Sequence, residues 1–199
     1  MKLFLSSILL LIFISANAAG EGSFDVSGVD YKLLHICNCQ NSGYIYAENY
    51  QHQQKLIYKS HHPFPPDSPF MSDQDNGTDI LTVVFECDAE TGNSSCTRFF
   101  NRRNNQLSIV YPYILDYDAK RDIVAFYEKD KNRVVLSRAF HTCNKPLTYL
   151  IILEEDSDFG IKTKFLSTGN LQLDYETPSG KDVLKIIPVN YRKLLSHCG

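Results

Sequence analysis

The stretch from residue 114 to residue 138 constrains the fold most. Two runs of mainly β-branched and aromatic residues, 123–127 and 134–136, flank the charged segment 128–132. Apolar runs separated by four or five polar residues predict a β-hairpin. A turn signal at 116–120 comes just before it, so this stretch predicts three antiparallel strands in succession.

The same alternation of short apolar runs and polar turns extends along the chain. Residues 80–85 are almost continuously apolar, which indicates a strand buried on both faces or one that changes face at a bulge. Residues 147–153 are ambiguous, and their propensities favour a strand over a helix. Further strands are predicted at 31–37, 44–47, 54–59, 79–87, 96–100, 107–111, 162–166, 171–175 and 183–187.

About ten short strands separated by turns predict an all-β fold. We expect an antiparallel β-barrel or a sandwich, stabilised by disulfides, with a short terminal helix within 189–197. The stretch 60–77 carries four prolines and cannot form a central strand. It is predicted to be a long surface loop, and such loops often have a function.

The first 18 residues predict a signal peptide. Lys2 precedes an apolar run of about a dozen residues, and small residues at positions 16 and 18 favour cleavage after Ala18. This run is too short to span a membrane, so residues 19–199 are expected to form a single secreted domain. Removal of the leader, which holds one lysine and no acidic residue, changes the net charge from −3 to −4. This balance argues against nucleic acid as a partner.

The six cysteines lie after the leader, and an even number in a secreted chain indicates three disulfides. Because two neighbouring strands flank residues 88–95, we expect Cys87 to pair with Cys96. Cys37 and Cys39 are expected to reach different partners, since two residues so close on one strand are awkwardly placed to bridge each other. The cysteines involved are Cys37, Cys39, Cys87, Cys96, Cys143 and Cys198.

Two N-glycosylation motifs also predict a secreted protein. Asn76 and Asn93 each begin an Asn-x-Ser/Thr motif, which predicts glycosylated surface loops.

The central stretch resembles a segment of secreted lipocalins. In that family an Asp precedes a strand of apolar and aromatic residues, as Asp118 precedes 123–126, and a later strand ends in Leu-Ser-Arg, as residues 136–138 do. The resemblance implies an eight-stranded barrel that holds a small apolar ligand, with Arg138 packed across its closed end. The family's Gly-x-Trp signature has no counterpart, because the chain contains no Trp.

The motifs of catalysis are missing from the sequence, which contains no nucleophile elbow, phosphate-binding glycine loop or metalloprotease helix. We therefore expect a protein that is not an enzyme and needs no cofactor. His61 and His62 are interpreted as a solvated pair rather than metal ligands, and the acidic run 154–158 as a solvated turn rather than a calcium loop.

Twelve Tyr and twelve Phe favour binding, either of an apolar ligand or of a protein. The first hypothesis is a secreted protein that carries a small hydrophobic ligand inside a β-barrel. The alternative is an extracellular interaction module, such as an effector or inhibitor, that contacts another protein through loop 60–77. Inward-facing residues proposed for the ligand-binding wall are Val83, Phe85, Ile109, Val124, Phe126 and Val135.

Overall fold

The structure, a computed structural model, describes residues 22–25, 34–39, 41–64, 70–71, 79–87, 95–140, 148–153 and 160–195. Several predictions lie outside these residues. They are the leader 1–18, the acidic run 154–158, the two sequons at Asn76 and Asn93, and the cysteines Cys143 and Cys198.

The described residues form four antiparallel sheets, each built from strands that are consecutive in the chain. Sheet A contains β1 (Gly22–Asp25), β2 (Leu34–Cys39), β3 (Ser42–Glu48) and β4 (Gln54–Ser60). Sheet B contains β5 (Phe70–Met71), β6 (Ile80–Glu86), β7 (Ser95–Asn101) and β8 (Gln106–Leu107), and β9 (Tyr111–Pro112) also pairs with β7.

Sheets C and D complete the fold. Sheet C contains β10 (Ile114–Asp118), β11 (Ile123–Glu128), β12 (Arg133–Arg138) and β13 (Thr148–Ile152). Sheet D contains β14 (Lys162–Phe165), β15 (Leu171–Glu176) and β16 (Asp182–Ile187), and the short helix α1 (Tyr191–Leu195) follows. The predicted all-β class and terminal helix are confirmed.

The central hairpin forms as predicted from its two apolar runs. β11 and β12 pair over their full lengths, and a single 3-10 turn at 129–131 joins them. Asn132 closes this turn in the left-handed backbone region (φ 43°), which asparagine tolerates better than most residues. Within the ambiguous stretch 147–153, residues 148–152 form a strand, because β13 pairs with the edge of β12 that is not bound to β11.

Sheet B is buried on both faces, which explains the nearly continuous apolar run of β6. Leu81, Val83 and Phe85 pack with the residues of sheet A in one core cluster. The alternate residues of β6 face sheet C, where Ile80 packs against the cluster that contains Phe99. A strand that contributes to two cores has few positions left for polar residues, and only Thr82 and the terminal Glu86 of β6 are polar.

Sheet C is likewise covered on both sides. Ile123 and Ala125 of β11 pack with Leu171 and Leu173 of sheet D. The intervening residue Val124 packs with the aromatic residues of sheet B. The four sheets are therefore stacked in chain order, with A on B, B on C and C on D.

Two of the junctions between neighbouring sheets bring together turns that occupy the same position in each sheet. At the junction of sheets A and B, the β3–β4 turn contacts the β7–β8 turn. Arg102 Nε donates to the Glu48 carbonyl oxygen (3.0 Å), and the Arg102 guanidinium lies 4.3 Å from the centre of the Tyr50 ring. At the junction of sheets C and D, Arg121 of the β10–β11 turn lies beside Gly169 of the β14–β15 turn. At these two junctions, turns that occupy the same position in neighbouring sheets are therefore in contact.

Antiparallel four-stranded sheets that pack face to face in chain order are also the arrangement of the blades of β-propellers. The described strands form four separate sheets and not one closed barrel. Sheet-on-sheet packing, the sandwich alternative predicted from the sequence, describes each neighbouring pair. A closed barrel would have required continuous hydrogen bonding between the sheets.

The cysteine predictions had mixed outcomes. Cys87 pairs with Cys96, as expected, with their Cα atoms 5.5 Å apart. Cys37 was expected to reach a different partner from Cys39, but the structure places these two cysteines within disulfide distance of each other, and Cys143 and Cys198 lie outside the described residues. Cys37 and Cys39 lie at the end of β2 with their Cα atoms 5.4 Å apart, which is within the range that a disulfide can span.

Gly43 allows β3 to pack closely against the segment that follows β4. A Cβ atom at this position would come within 2.5 Å of the Phe64 ring, and Phe64 is held by two hydrogen bonds between its backbone and the Asn38 side chain (2.9 and 3.0 Å). We expect Gly43→Ala to lower the free energy of unfolding by about 1 to 3 kcal/mol, because the ring must move. Chemical denaturation measures this change.

The matched experiment is the same substitution in a Phe64→Ala background. There the added methyl group should cost less, since its main clash is with the ring. An equal cost in both backgrounds would show that the ring is not what excludes a side chain at this position.

Candidate binding site

A cleft of about 360 Å³ opens between sheets B and C. Strands β6 and β7 form one wall, and the chain from the end of β9 through β10 forms the other. The lining residues are Thr82, Val84, Ser95, Thr97, Phe99, Tyr113, Ile114, Leu115, Asp116 and Tyr117.

The cleft exists because small side chains occupy part of the interface between the two sheets. Phe99 stacks on Tyr117 with ring centroids 4.2 Å apart and fills the gap between the sheets. Next to this stack, sheet B presents Val84 and its cross-strand partner Thr97, whose side chains are smaller than the aromatic rings and line the cleft. Side-chain size along two paired strands therefore decides where the core is filled and where it is open.

Tyr113 stands at the mouth of the cleft in an unfavourable backbone conformation. Its φ of 49° lies in the left-handed region, where aromatic residues are rare, and its side chain is exposed. Its N–H donates to the Ser95 carbonyl oxygen (3.3 Å), and its own carbonyl oxygen accepts from the Tyr127 N–H (3.0 Å). Such strain is maintained by surrounding structure and is found most often at functional sites.

The opposite wall carries a second irregularity. The pairing of β10 with β11 shifts between Ile114 and Asp116, both of which line the cleft. Bulges of this kind redirect side chains and are frequent beside binding sites. Together with Tyr113, this places two departures from regular backbone on the same side of the cleft.

Asp116 carries the one carboxyl group in the lining, and both of its oxygens accept hydrogen bonds from backbone N–H groups. Its Oδ2 accepts from the Phe165 N–H (2.6 Å) and its Oδ1 from the Tyr117 N–H (2.9 Å). Burial raises the pKa of Asp116, and the two backbone hydrogen bonds oppose that rise. The carboxyl thus connects β10 to β14 and supports the cleft wall. Five of the ten lining residues carry a hydroxyl group, so the cleft combines apolar surface with polar groups, as small-molecule sites do.

Behind the cleft lies a partly buried polar cluster. Burial raises the pKa of Asp122 to about 6, although Arg138, 3.6 Å away, and the Tyr117 hydroxyl partly offset this rise. The Tyr111 hydroxyl donates to the carbonyl oxygens of Arg138 (3.0 Å) and Ala139 (3.2 Å), and burial raises the pKa of Tyr111. Because Tyr117 also lines the cleft, this cluster holds part of the cleft wall in place.

The residues predicted as the ligand wall do not line the cleft. Val83 and Phe85 lie in the packed core between sheets A and B. Val124 is buried between sheets B and C with Phe126 packed beside it, and Val135 is buried in β12. Ile109 is exposed.

Three other predicted features are partly described. Arg138 ends β12 and pairs with Asp122. His61 and His62 are exposed. Within loop 60–77, Phe64 is buried in the core between sheets A and B and β5 pairs with β6, so two parts of this loop belong to the packed fold.

Sequence reasoning missed the cleft for a specific reason. On β6 it selected Val83 and Phe85 as the inward-facing residues, and these are on the face that packs against sheet A, while the cleft is on the other face. Two signals were present in the sequence. Thr82 interrupts an otherwise apolar strand, and Pro112 is followed by an aromatic residue at a point where two strands meet without a turn motif.

No family model, curated protein or solved structure matches the chain. The resemblance to lipocalins therefore stays a prediction. In the part of the chain that the structure describes, no helix has the length and apolar character needed to cross a membrane.

The raised pKa of Asp122 predicts how the stability of the protein depends on pH. Its pKa is raised from an ordinary value near 4, so between about pH 4 and pH 6 the folded carboxyl keeps a proton that the unfolded chain has lost. Stability from this group is therefore lost as the pH rises through that window. The free energy of unfolding of the wild type should therefore fall between pH 4 and pH 7, and that of Asp122→Asn should not. Over this range we expect the variant's free energy of unfolding to rise by about 2 kcal/mol relative to that of the wild type, after allowance for the partial exposure of the carboxyl.

Urea denaturation at a series of pH values measures this difference. Asparagine also suits the φ of 58° at this position, so the variant should fold. Asp130→Asn, at an exposed position in the 3-10 turn, is the control and should follow the wild-type curve. A constant difference between Asp122→Asn and the wild type across the range would contradict the prediction.

Proposed function

We propose that the protein is a secreted binding protein that holds a small, mostly apolar ligand in the cleft between sheets B and C. The observation that carries this proposal is the cleft itself, about 360 Å³ in volume, with the strained Tyr113 at its mouth. Its volume is at the lower end of the range of small-molecule sites, roughly 300 to 1,000 Å³. The ligand is therefore small, with a few rings at most.

The lining indicates the chemistry of the ligand. Val84, Ile114 and Leu115 supply apolar contacts, and Tyr113 supplies an aromatic ring at the entrance. The carboxyl of Asp116 is occupied by backbone N–H groups, and the lining contains no Lys, Arg or His. These features favour a neutral ligand with an apolar body and one or two groups that hydrogen-bond to hydroxyls.

Secretion is the second part of the proposal. The apolar leader at 1–18, the sequons at Asn76 and Asn93 and the even number of cysteines all support an extracellular protein. The pairing of Cys87 with Cys96 agrees with an oxidising compartment. The ligand-carrying function predicted from the sequence is kept, but the ligand is placed between two sheets instead of inside a barrel.

The direct experiment is native mass spectrometry of the protein purified from the medium of a eukaryotic expression host. A co-purified small molecule, present at one per chain and released by denaturation, would support the proposal.

A designed pair of variants then locates the site. Val84→Phe places a ring in the cleft, and Ile109→Phe adds the same bulk at an exposed position outside it. With the neutral fluorophore N-phenyl-1-naphthylamine, we expect saturable binding to the wild type and to Ile109→Phe. Binding to Val84→Phe should be weaker by at least about tenfold, equivalent to about 1.4 kcal/mol. The measurement is a fluorescence titration.

Equal binding by both variants would refute the cleft as the site. Non-saturable fluorescence with the wild type would refute the proposed ligand class. Unfolding curves of both variants, recorded in parallel, show whether either change acts through the fold.

A further inference from the structure

The aromatic residues around the cleft indicate a more specific class of ligand. Four aromatic rings form a connected layer between sheets B and C. The ring contacts run from Tyr117 to Phe99, from Phe99 to Tyr111 and from Tyr111 to Phe126. Two of these rings, Phe99 and Tyr117, also line the cleft. The layer therefore ends at the cleft, where a ring of the ligand can continue it.

The cleft deepens along both walls in the direction of the chain. On the wall from sheet B, Ser95 is exposed, Thr97 is 5% exposed and Phe99 is fully buried. On the facing wall, Tyr113 lies beside Ser95, whose carbonyl oxygen accepts from the Tyr113 N–H. Four residues further along that wall, Tyr117 stacks on Phe99. The cleft thus has an aromatic side chain at its mouth and an aromatic pair at its closed end.

The ring at the mouth is not explained by the backbone or by the core. Tyr113 has a φ of 49°, a conformation that glycine adopts at lower cost, and its side chain is 41% exposed. The tyrosine ring itself is therefore the feature that needs a reason. Rings at both ends of the cleft favour an aromatic ligand, because aromatic pairs gain attraction beyond that of buried area whether they stack or meet edge to face.

The length of the cleft sets the size of the ligand. Ser95 and Phe99 are four residues apart on β7, which corresponds to roughly 13 Å from the rise of an antiparallel strand. A single ring would reach only one end of the cleft, whereas a bicyclic compound comes close to both. The cleft volume of about 360 Å³ agrees with a ligand of that size.

Thr97 supplies a polar group halfway along the cleft. The residues before and after it face sheet A, where Cys96 packs in the core and Arg98 donates to the Ile57 carbonyl oxygen. The Thr97 side chain is therefore on the cleft face. Among the described residues, none is hydrogen-bonded to the Thr97 hydroxyl. Burial of a hydroxyl without a partner costs free energy, and a ligand that donates to it or accepts from it removes that cost.

We propose that the ligand of the cleft is a neutral bicyclic aromatic compound with a hydroxyl or amino substituent, and that Thr97 selects it through a hydrogen bond to that substituent. This inference rests on the proposed binding function and narrows its ligand class from apolar to aromatic. The aromatic body lies between Tyr113 and the Phe99–Tyr117 pair, and its substituent faces β7. A saturated compound of the same size would fill the same space without the ring contacts.

The first experiment compares 2-naphthol with its saturated counterpart 2-decalol by isothermal titration calorimetry on the secreted protein. We expect the dissociation constant of 2-naphthol to be at least about tenfold lower, after correction for the octanol–water partition of the two compounds, because only the aromatic compound gains the ring contacts. Equal affinities, or tighter binding of 2-decalol, would overturn the aromatic class and leave the proposed function intact.

Absence of binding by both compounds would also overturn the inference. Saturable binding of N-phenyl-1-naphthylamine by the same preparation would then show that the proposed function survives, and lack of that binding would show that both fail.

The second experiment replaces the Thr97 hydroxyl with a methyl group. Thr97→Val should weaken the binding of 2-naphthol by about three- to tenfold, the range for one neutral hydrogen bond. It should leave the binding of naphthalene unchanged, which also shows that the variant is folded. Thr163→Val makes the same change on β14, outside the cleft, and should bind both compounds as the wild type does. Equal weakening of both compounds by Thr97→Val, or no effect on 2-naphthol, would overturn the role of this hydroxyl.

Discussion

The fold depends on the burial of sheets B and C on both faces. A sheet covered on one side can leave alternate residues in water, but a sheet between two others must be apolar at nearly every position. β6 and β11 meet this requirement, and each supplies residues to two separate cores. Sheets A and D, at the ends, carry polar and charged residues on their outer faces, together with the exposed apolar residues Leu56, Leu184 and Ile186. The central position of sheets B and C can thus be read from the composition of β6 and β11, although β7 and β10 of the same sheets contain several polar residues.

The cleft follows from the same constraint. Where the facing residues of sheets B and C are large, as at Phe99 and Tyr117, they meet and close the gap. Where they are small, the gap stays open, and the backbone of the other wall is irregular at Tyr113 and at the β10 bulge. Asp116 joins that wall to sheet D through the Phe165 N–H, so the cleft is held by three sheets although two of them line it.

Local features of the chain could be predicted from the sequence, and long-range ones could not. The hairpin around 129–131, the strand β13 and the helix α1 follow from nearby residues and are confirmed. The stacking of the four sheets could not be predicted, because each sheet is a meander but the sheets share no sequence motif. The structure therefore repeats along the chain although the sequence does not. The approach of Cys37 to Cys39 was missed because two cysteines that are two residues apart on a strand were assumed to be too awkwardly placed to bridge each other. The cleft combines residues from separate strands, and sequence order does not show which strand faces face each other.

The alternation along β6 has a consequence for how the cleft and the core are linked. A shift of one position in its pairing with β7 would exchange the two faces of the strand. Phe85 and Val83 would then enter the opening, and threonine would be forced against sheet A. The hydrogen-bond ladder that sets the hydrophobic contacts with sheet A therefore also sets the shape of the ligand opening. Neither property can change in evolution without the other while this strand keeps its sequence.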